Sequence, residues 1–89
     1  MKTLPENVEA YRKTPVFDET TVPKALLNQH NTKEGVWGKI NVLEGTLLYF
    51  IGDAPPETLT PERFGVVEPT VWHHIQPQGA VKFFVEFYR

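Results

Sequence analysis

The stretch VWGKINVLEGTLLYFIG, Val36 to Gly52, decides the fold. Two apolar runs rich in Val, Ile, Leu, Tyr and Phe flank Glu44-Gly45, where glycine can supply the positive φ of a tight turn, so the stretch reads as a β-hairpin. In its first arm Val36, Ile40 and Val42 fall on one face and Trp37, Lys39, Asn41 and Leu43 on the other, the alternation of a sheet with one drier side. The second arm, Leu47 to Ile51, is apolar on both faces.

Working outward, Phe64 to Glu68 reads as a short strand ended by Pro69, and Val71 to Gln76 as another. Gln76-Pro77-Gln78-Gly79 then turns the chain into a last run, Ala80 to Tyr88. That run is apolar on both faces apart from Lys82 and Glu86, as in a central strand covered on both sides. Upstream, Tyr11 to Phe17 is a strand that Pro15 confines to an edge or makes irregular. Pro23 can open one or two helical turns before Asn28, with Thr21 as a cap. Gly52 to Glu62 carries three prolines and two turn signals and reads as an exposed loop. Short strands and almost no helix predict an all-β sandwich or barrel.

Composition narrows the function. At 89 residues the chain is one small domain, spanning 1–89, with 40% hydrophobic residues for a single core. Nine Lys plus Arg against eleven Asp plus Glu leave a net charge of −2, without the basic excess of a nucleic-acid binder. No cysteine is present, which excludes disulfides, a thiolate nucleophile and Cys-ligated metal. The opening residues lack an apolar signal core, and no run approaches a membrane span, so the expectation is a soluble cytoplasmic protein without a membrane partner. The chain also has no serine, phosphate-binding glycine loop or His-Glu-x-x-His motif.

Chemistry therefore rests on histidines and carboxylates. His73 and His74 are adjacent and point to opposite faces of a strand; alternation with Val71 and Ile75 turns His73 inward. Its plain alternative is a hydrogen-bonded core histidine. His30, before a polar stretch, reads by itself as a loop histidine. Glu86 stands in an apolar strand and needs a partner, a metal or water; pairing with Lys39 or Lys82 is the alternative. Glu68 reads as a rim residue. Trp37 and Trp72 line a small-ligand cavity or fill the core, and Phe84 and Tyr88 share the face of Glu86.

His30-Asn31-Thr32-Lys33, Val36-Trp37-Gly38-Lys39, Val42-Leu43-Glu44-Gly45, Val67-Glu68-Pro69 and Trp72-His73 occur in an order that resembles the TehB/YeaR-like family of tellurite-resistance-associated proteins. The ends, Tyr11-Arg12 with Thr14-Pro15-Val16 and Phe84-Val85-Glu86-Phe87-Tyr88, are similar too. The resemblance implies a small cupin-like double-stranded β-helix, a jelly-roll β-barrel with little helix. It also implies a stress or tellurite-resistance context, and it places His30 and His73 at the histidines of the two cupin motifs. Thr32 stands where a further motif histidine is usual, and Trp37 lies near the usual Glu.

With Glu86 added, His30 and His73 would form a His₂-carboxylate centre for a divalent metal ion, Zn²⁺, Ni²⁺ or Fe²⁺, at a barrel mouth that takes a small polar or anionic molecule. The alternative is a non-catalytic ligand-binding or dimerisation module without metal, a homodimer being common among small cupins. Family members joined to a methyltransferase use a domain for which this chain has no glycine-rich segment, and methyl transfer is not expected of it.

Overall fold

The computed structural model describes residues 1–89. Six strands and one helical turn follow in chain order: β1 Ala10–Lys13, β2 Phe17–Asp18, α1 Lys24–Leu27, β3 Trp37–Ile51, β4 Glu57–Leu59, β5 Gly65–Val67 and β6 His73–Tyr88. All pairings are antiparallel, and the sheet runs β1-β6-β3-β4, with β2 also on β6 and β5 also on β3. Two long strands, β3 and β6, pair along almost their whole length from Trp37↔Tyr88 to Ile51↔His73.

The sequence-based hairpin at Glu44-Gly45 is corrected here. Gly45 does adopt φ +82°, but as part of a bulge inside one continuous strand rather than as a chain reversal. Pairing slips between Val42 and Glu44 and again between Gly45 and Leu47, where two residues of β3 oppose the four-residue step from Pro77 to Val81. The turn read at Gln76 to Gly79 is likewise a bend within β6. A bulge kinks its strand and flips the side-chain parity beyond it. Ile40 and Val42 are buried before the bulge; Leu47 and Tyr49 are buried after it. The bend folds the ribbon over its own inner face.

That face is the core: Ile40, Val42, Leu47 and Tyr49 from β3 pack with Ile75, Val81, Phe83 and Val85 from β6, closed by Leu59 and Val67. Tyr49, Phe83, Leu47 and Leu59 are fully buried. Gly65 permits the close approach of β5, since a Cβ there would lie 2.8 Å from Leu59 Cδ1. Elsewhere the punctuation acts as read. Pro15 separates β1 from β2, and Pro23 and Asn28, both extended, bracket α1. Thr21 is not the cap; its Oγ1 accepts from Asp18 N at 2.9 Å. The Gly52 to Glu62 loop contains one short strand, β4.

The closed jelly-roll barrel implied by the cupin resemblance is overturned. The terminal strands of the sheet path do not pair with each other, so this is a bent, open antiparallel sheet with little helix. A jelly roll distributes its strands over two packed sheets of two Greek keys. Here one ribbon takes most of the pairing, and the four other strands, two to four residues long and interrupted by Pro15, Pro61 and Pro69, are too short to carry the sheet round to closure. No helix is long and apolar enough to cross a membrane.

Candidate functional site

A pocket of about 170 Å³ opens on the inner face of the ribbon. Its apolar lining is Ile40 of β3, Val67 of β5, Ile75, Val85 and Phe87 of β6, and Leu26 of α1. Polar groups occupy the rim: Thr14, His73 and the segment His30, Asn31, Thr32. A cavity of about 150 Å³ with apolar walls holds a molecule the size of benzene, so this space suits a small ligand of that order.

His30 and His73 are joined by a two-residue bridge. His30 N donates to His73 O at 2.9 Å, and His73 N donates to His30 O at 2.9 Å. Directly opposed residues share a face, so the imidazoles meet, their centroids 4.0 Å apart and their planes tilted by 60°. Each ring's Nδ1 lies against a backbone carbonyl two residues upstream: His30 on Asn28 O at 2.9 Å, His73 on Val71 O at 3.0 Å. A carbonyl can only accept, so both Nδ1 atoms carry the proton and both Nε2 atoms present a lone pair in the neutral ring.

His73 is 4% exposed. Burial, with His30 and His74 nearby, holds its pKa down at about 4 against the upward pull of Val71 O. It is therefore an uncharged imidazole at neutral pH. Tyr49 stands edge-on to it, centroids 5.8 Å apart and planes at 86°. The Tyr49 hydroxyl donates to Val66 O at 2.9 Å, and burial, with Glu68 second, pushes its pKa upward, so it stays a phenol.

The structure brings His30 and His73 together and leaves Glu86 apart. On β6 the inward residues are Val81, Phe83 and Val85, so Glu86 projects from the opposite face. There it pairs neither Lys39 nor Lys82 but accepts from Asn41 Nδ2 at 3.0 Å. No three His, Asp or Glu side chains stand close enough to hold a metal ion. Structural and catalytic zinc sites take at least three protein ligands. The expected three-residue centre is thus corrected: two imidazoles without the carboxylate do not make the His30, His73, Glu86 site.

The other residues singled out, Trp37, Trp72, Phe84 and Tyr88, do not line this pocket. Trp37 and Tyr88 are cross-strand neighbours, and Phe84 lies under Lys13 Nζ, 6.0 Å from its ring centre. Trp72 is 56% exposed beside Gly52 and Asp53. Glu68 is at the surface, 3.4 Å from Lys2 Nζ. His74 faces away from His73 and stacks on Phe50, centroids 4.5 Å apart. Thr14 and Leu26 escaped the sequence reading because nothing local ties them to β6. Val85 and Phe87 were legible in principle, as the apolar alternates to Glu86.

Fold and pocket together define a class: small open β-sheet domains with an apolar pocket that a pair of histidines helps to line. A family model described as TehB-like domain matches residues 12–85, and the chain belongs to that TehB-like, TehB/YeaR family. It is 38% identical over 72 residues, 74% of this chain, to a Haemophilus influenzae protein described as "Probable S-adenosyl-L-methionine-dependent methyltransferase TehB". The chain spans 25% of that relative's length. It is 26% identical to YeaR of Escherichia coli strain K12 over 99% of this chain and 83% of YeaR. The crystal structure of TehB from Haemophilus influenzae superposes with a TM-score of 0.86 at 29% identity, over 93% of this chain and 32% of TehB. A crystal structure of a protein from Escherichia coli K12 gives a TM-score of 0.90 over 100% of this chain and 97% of the other, and at 23% identity shows the shared fold.

Proposed function

We propose that the chain is a non-catalytic small-molecule-binding domain, acting in the stress or tellurite-resistance context that the family resemblance implies. The observation that carries this reading is the pocket itself, about 170 Å³ with aliphatic and aromatic walls and a paired-histidine rim. Its polar groups are spent on structure rather than poised for turnover. Thr14 Oγ1 donates to Pro15 O, Thr32 Oγ1 donates to Val36 O, and His73, with a pKa of about 4, is a weak base. Methyl transfer is not proposed for this chain: the description belongs to a relative of which it matches a quarter.

The test is a titration of the chain with phenol, a probe of benzene size, followed by amide NMR shifts. The expected result is saturable change concentrated at His30, Asn31, Ile75, Val85 and Phe87. An absence of saturable change, or change centred on the opposite face around Asn41 and Glu86, refutes the proposal.

A further inference from the structure

We infer that the pocket selects uncharged molecules that join an apolar body to a hydrogen-bond donor, and that it turns anions away; this rests on the small-molecule reading above. The selection comes from how the rim's hydrogens are already committed. Both imidazole Nδ1–H groups point at backbone carbonyls, Asn28 O and Val71 O. The Thr14 hydroxyl gives its hydrogen to Pro15 O at 2.9 Å and accepts from Val85 N at 3.0 Å. The Thr32 hydroxyl gives its hydrogen to Val36 O at 2.7 Å. Asn31 Nδ2 gives one of its two hydrogens to Thr70 O at 3.5 Å, a long bond, and its other hydrogen is the one side-chain donor left among these groups. What remains for a ligand is chiefly acceptor capacity.

The two Nε2 atoms make no hydrogen bond within the protein. The one fully enclosed side-chain polar atom without a partner is His74 Nδ1, so Nε2 of His73, inside a nearly buried residue, has access to the pocket space. Two lone pairs on rings whose centroids are 4.0 Å apart, in a pocket also lined by Ile75, Val85 and Phe87, call for a hydroxyl or amide N–H carried on an apolar frame. An anion meets the reverse. No Lys or Arg lines the pocket, and the imidazole acceptors would face its charge directly. A buried charge without a partner is strongly disfavoured. An oxyanion such as tellurite is therefore a poor occupant, and of the small polar or anionic molecules expected from the sequence the inference keeps the uncharged polar ones.

Phenol, toluene and benzoate share one ring and differ in the group tested. Titrated into the full chain at pH 8, where imidazole and phenol are both ordinarily uncharged, phenol should bind roughly three- to tenfold more tightly than toluene, the worth of one ordinary net hydrogen bond. Benzoate should bind at least thirtyfold more weakly than phenol. Ring ¹⁵N spectra should show both His30 and His73 as the Nδ1–H tautomer, with Nε2 shifting on phenol but not on toluene. In His73→Phe, and independently in His30→Phe, the preference for phenol over toluene should shrink while toluene still binds. Equal binding of toluene and phenol, benzoate within threefold of phenol, or the Nε2–H tautomer would each overturn the inference and leave the pocket reading intact. If none of the three binds, the pocket reading falls, and this inference with it.

Discussion

The uncharged state of His73 makes stability depend on pH in a way that can be worked through. Unfolded, the side chain titrates near 6.5; folded, it titrates at about 4. Well above pH 6.5 both states are unprotonated and His73 adds no pH dependence. As pH falls from 6.5 toward 4 the unfolded chain binds a proton that the folded chain refuses, so stability drops by about 1.4 kcal/mol per pH unit at most. Between pH 7.5 and 4.5 the two values give about 2.5 kcal/mol, reduced to about 2 kcal/mol if water entering the pocket screens the charge. That is a large part of the 5–15 kcal/mol typical of a domain. His30, His74 and Tyr49 are the titratable neighbours. Asp18 does not interfere. Its carboxyl is held below 3.8 by hydrogen bonds from Thr20 and Thr21, so its stabilisation is lost only below this window. The assay is urea unfolding at pH 7.5 and 4.5 for the parent chain and for His73→Gln, which cannot titrate. The variant should lose about 2 kcal/mol less on acidification, because His30 and His74 remain in both proteins. Equal losses in the two would refute the assignment of a low folded-state pKa to His73.

Four further outcomes follow from the geometry. Gly45→Ala should destabilise by about 3–4 kcal/mol, combining left-handed backbone strain with a collision, because its Cβ would fall 2.1 Å from Ala80 O. Gly79→Ala, at φ +75° with nothing within 4 Å, should cost only about 1–2 kcal/mol, and urea midpoints for both compare the two directly. Tyr49→Phe removes the buried bond to Val66 O and should lower stability by about 1–2 kcal/mol in the same assay. Adding Zn²⁺ or Ni²⁺ in tenfold excess should move the thermal midpoint by less than about 1 °C, since a native-state site is required for stabilisation; a rise that saturates would restore a metal centre.

Much of the strand content was legible locally. Alternation in Val36 to Val42 marks the inner face, Pro15 divides the first strand, and Pro23 and Asn28 bracket the helical turn. The inward turn of His73 was legible for the same reason, as the companion of Ile75. Glycine at Gly45 signalled positive φ correctly, but a reversal and a bulge use the same backbone angle. The choice between them depends on which segment pairs across it. Reading Gly45 and Gln76 to Gly79 as turns cut two long strands in half and lost the parity that links His73 to Val85. With that link broken, Glu86 was free to be placed on the histidine face.

What the chain's own order of residues determines is local: which segments extend, which side of each is apolar, and where the backbone must take an unusual angle. Side-chain alternation and φ preference act over a few residues, so a linear reading suffices for them. Tertiary structure alone decides that β3 and β6 run past their bends as one ribbon, that the sheet stays open, and that His30 meets His73 across 43 positions of sequence through two backbone hydrogen bonds. Those outcomes depend on long-range pairing, in which a backbone amide carries no label for its partner and the register is set by the packing of the whole inner face.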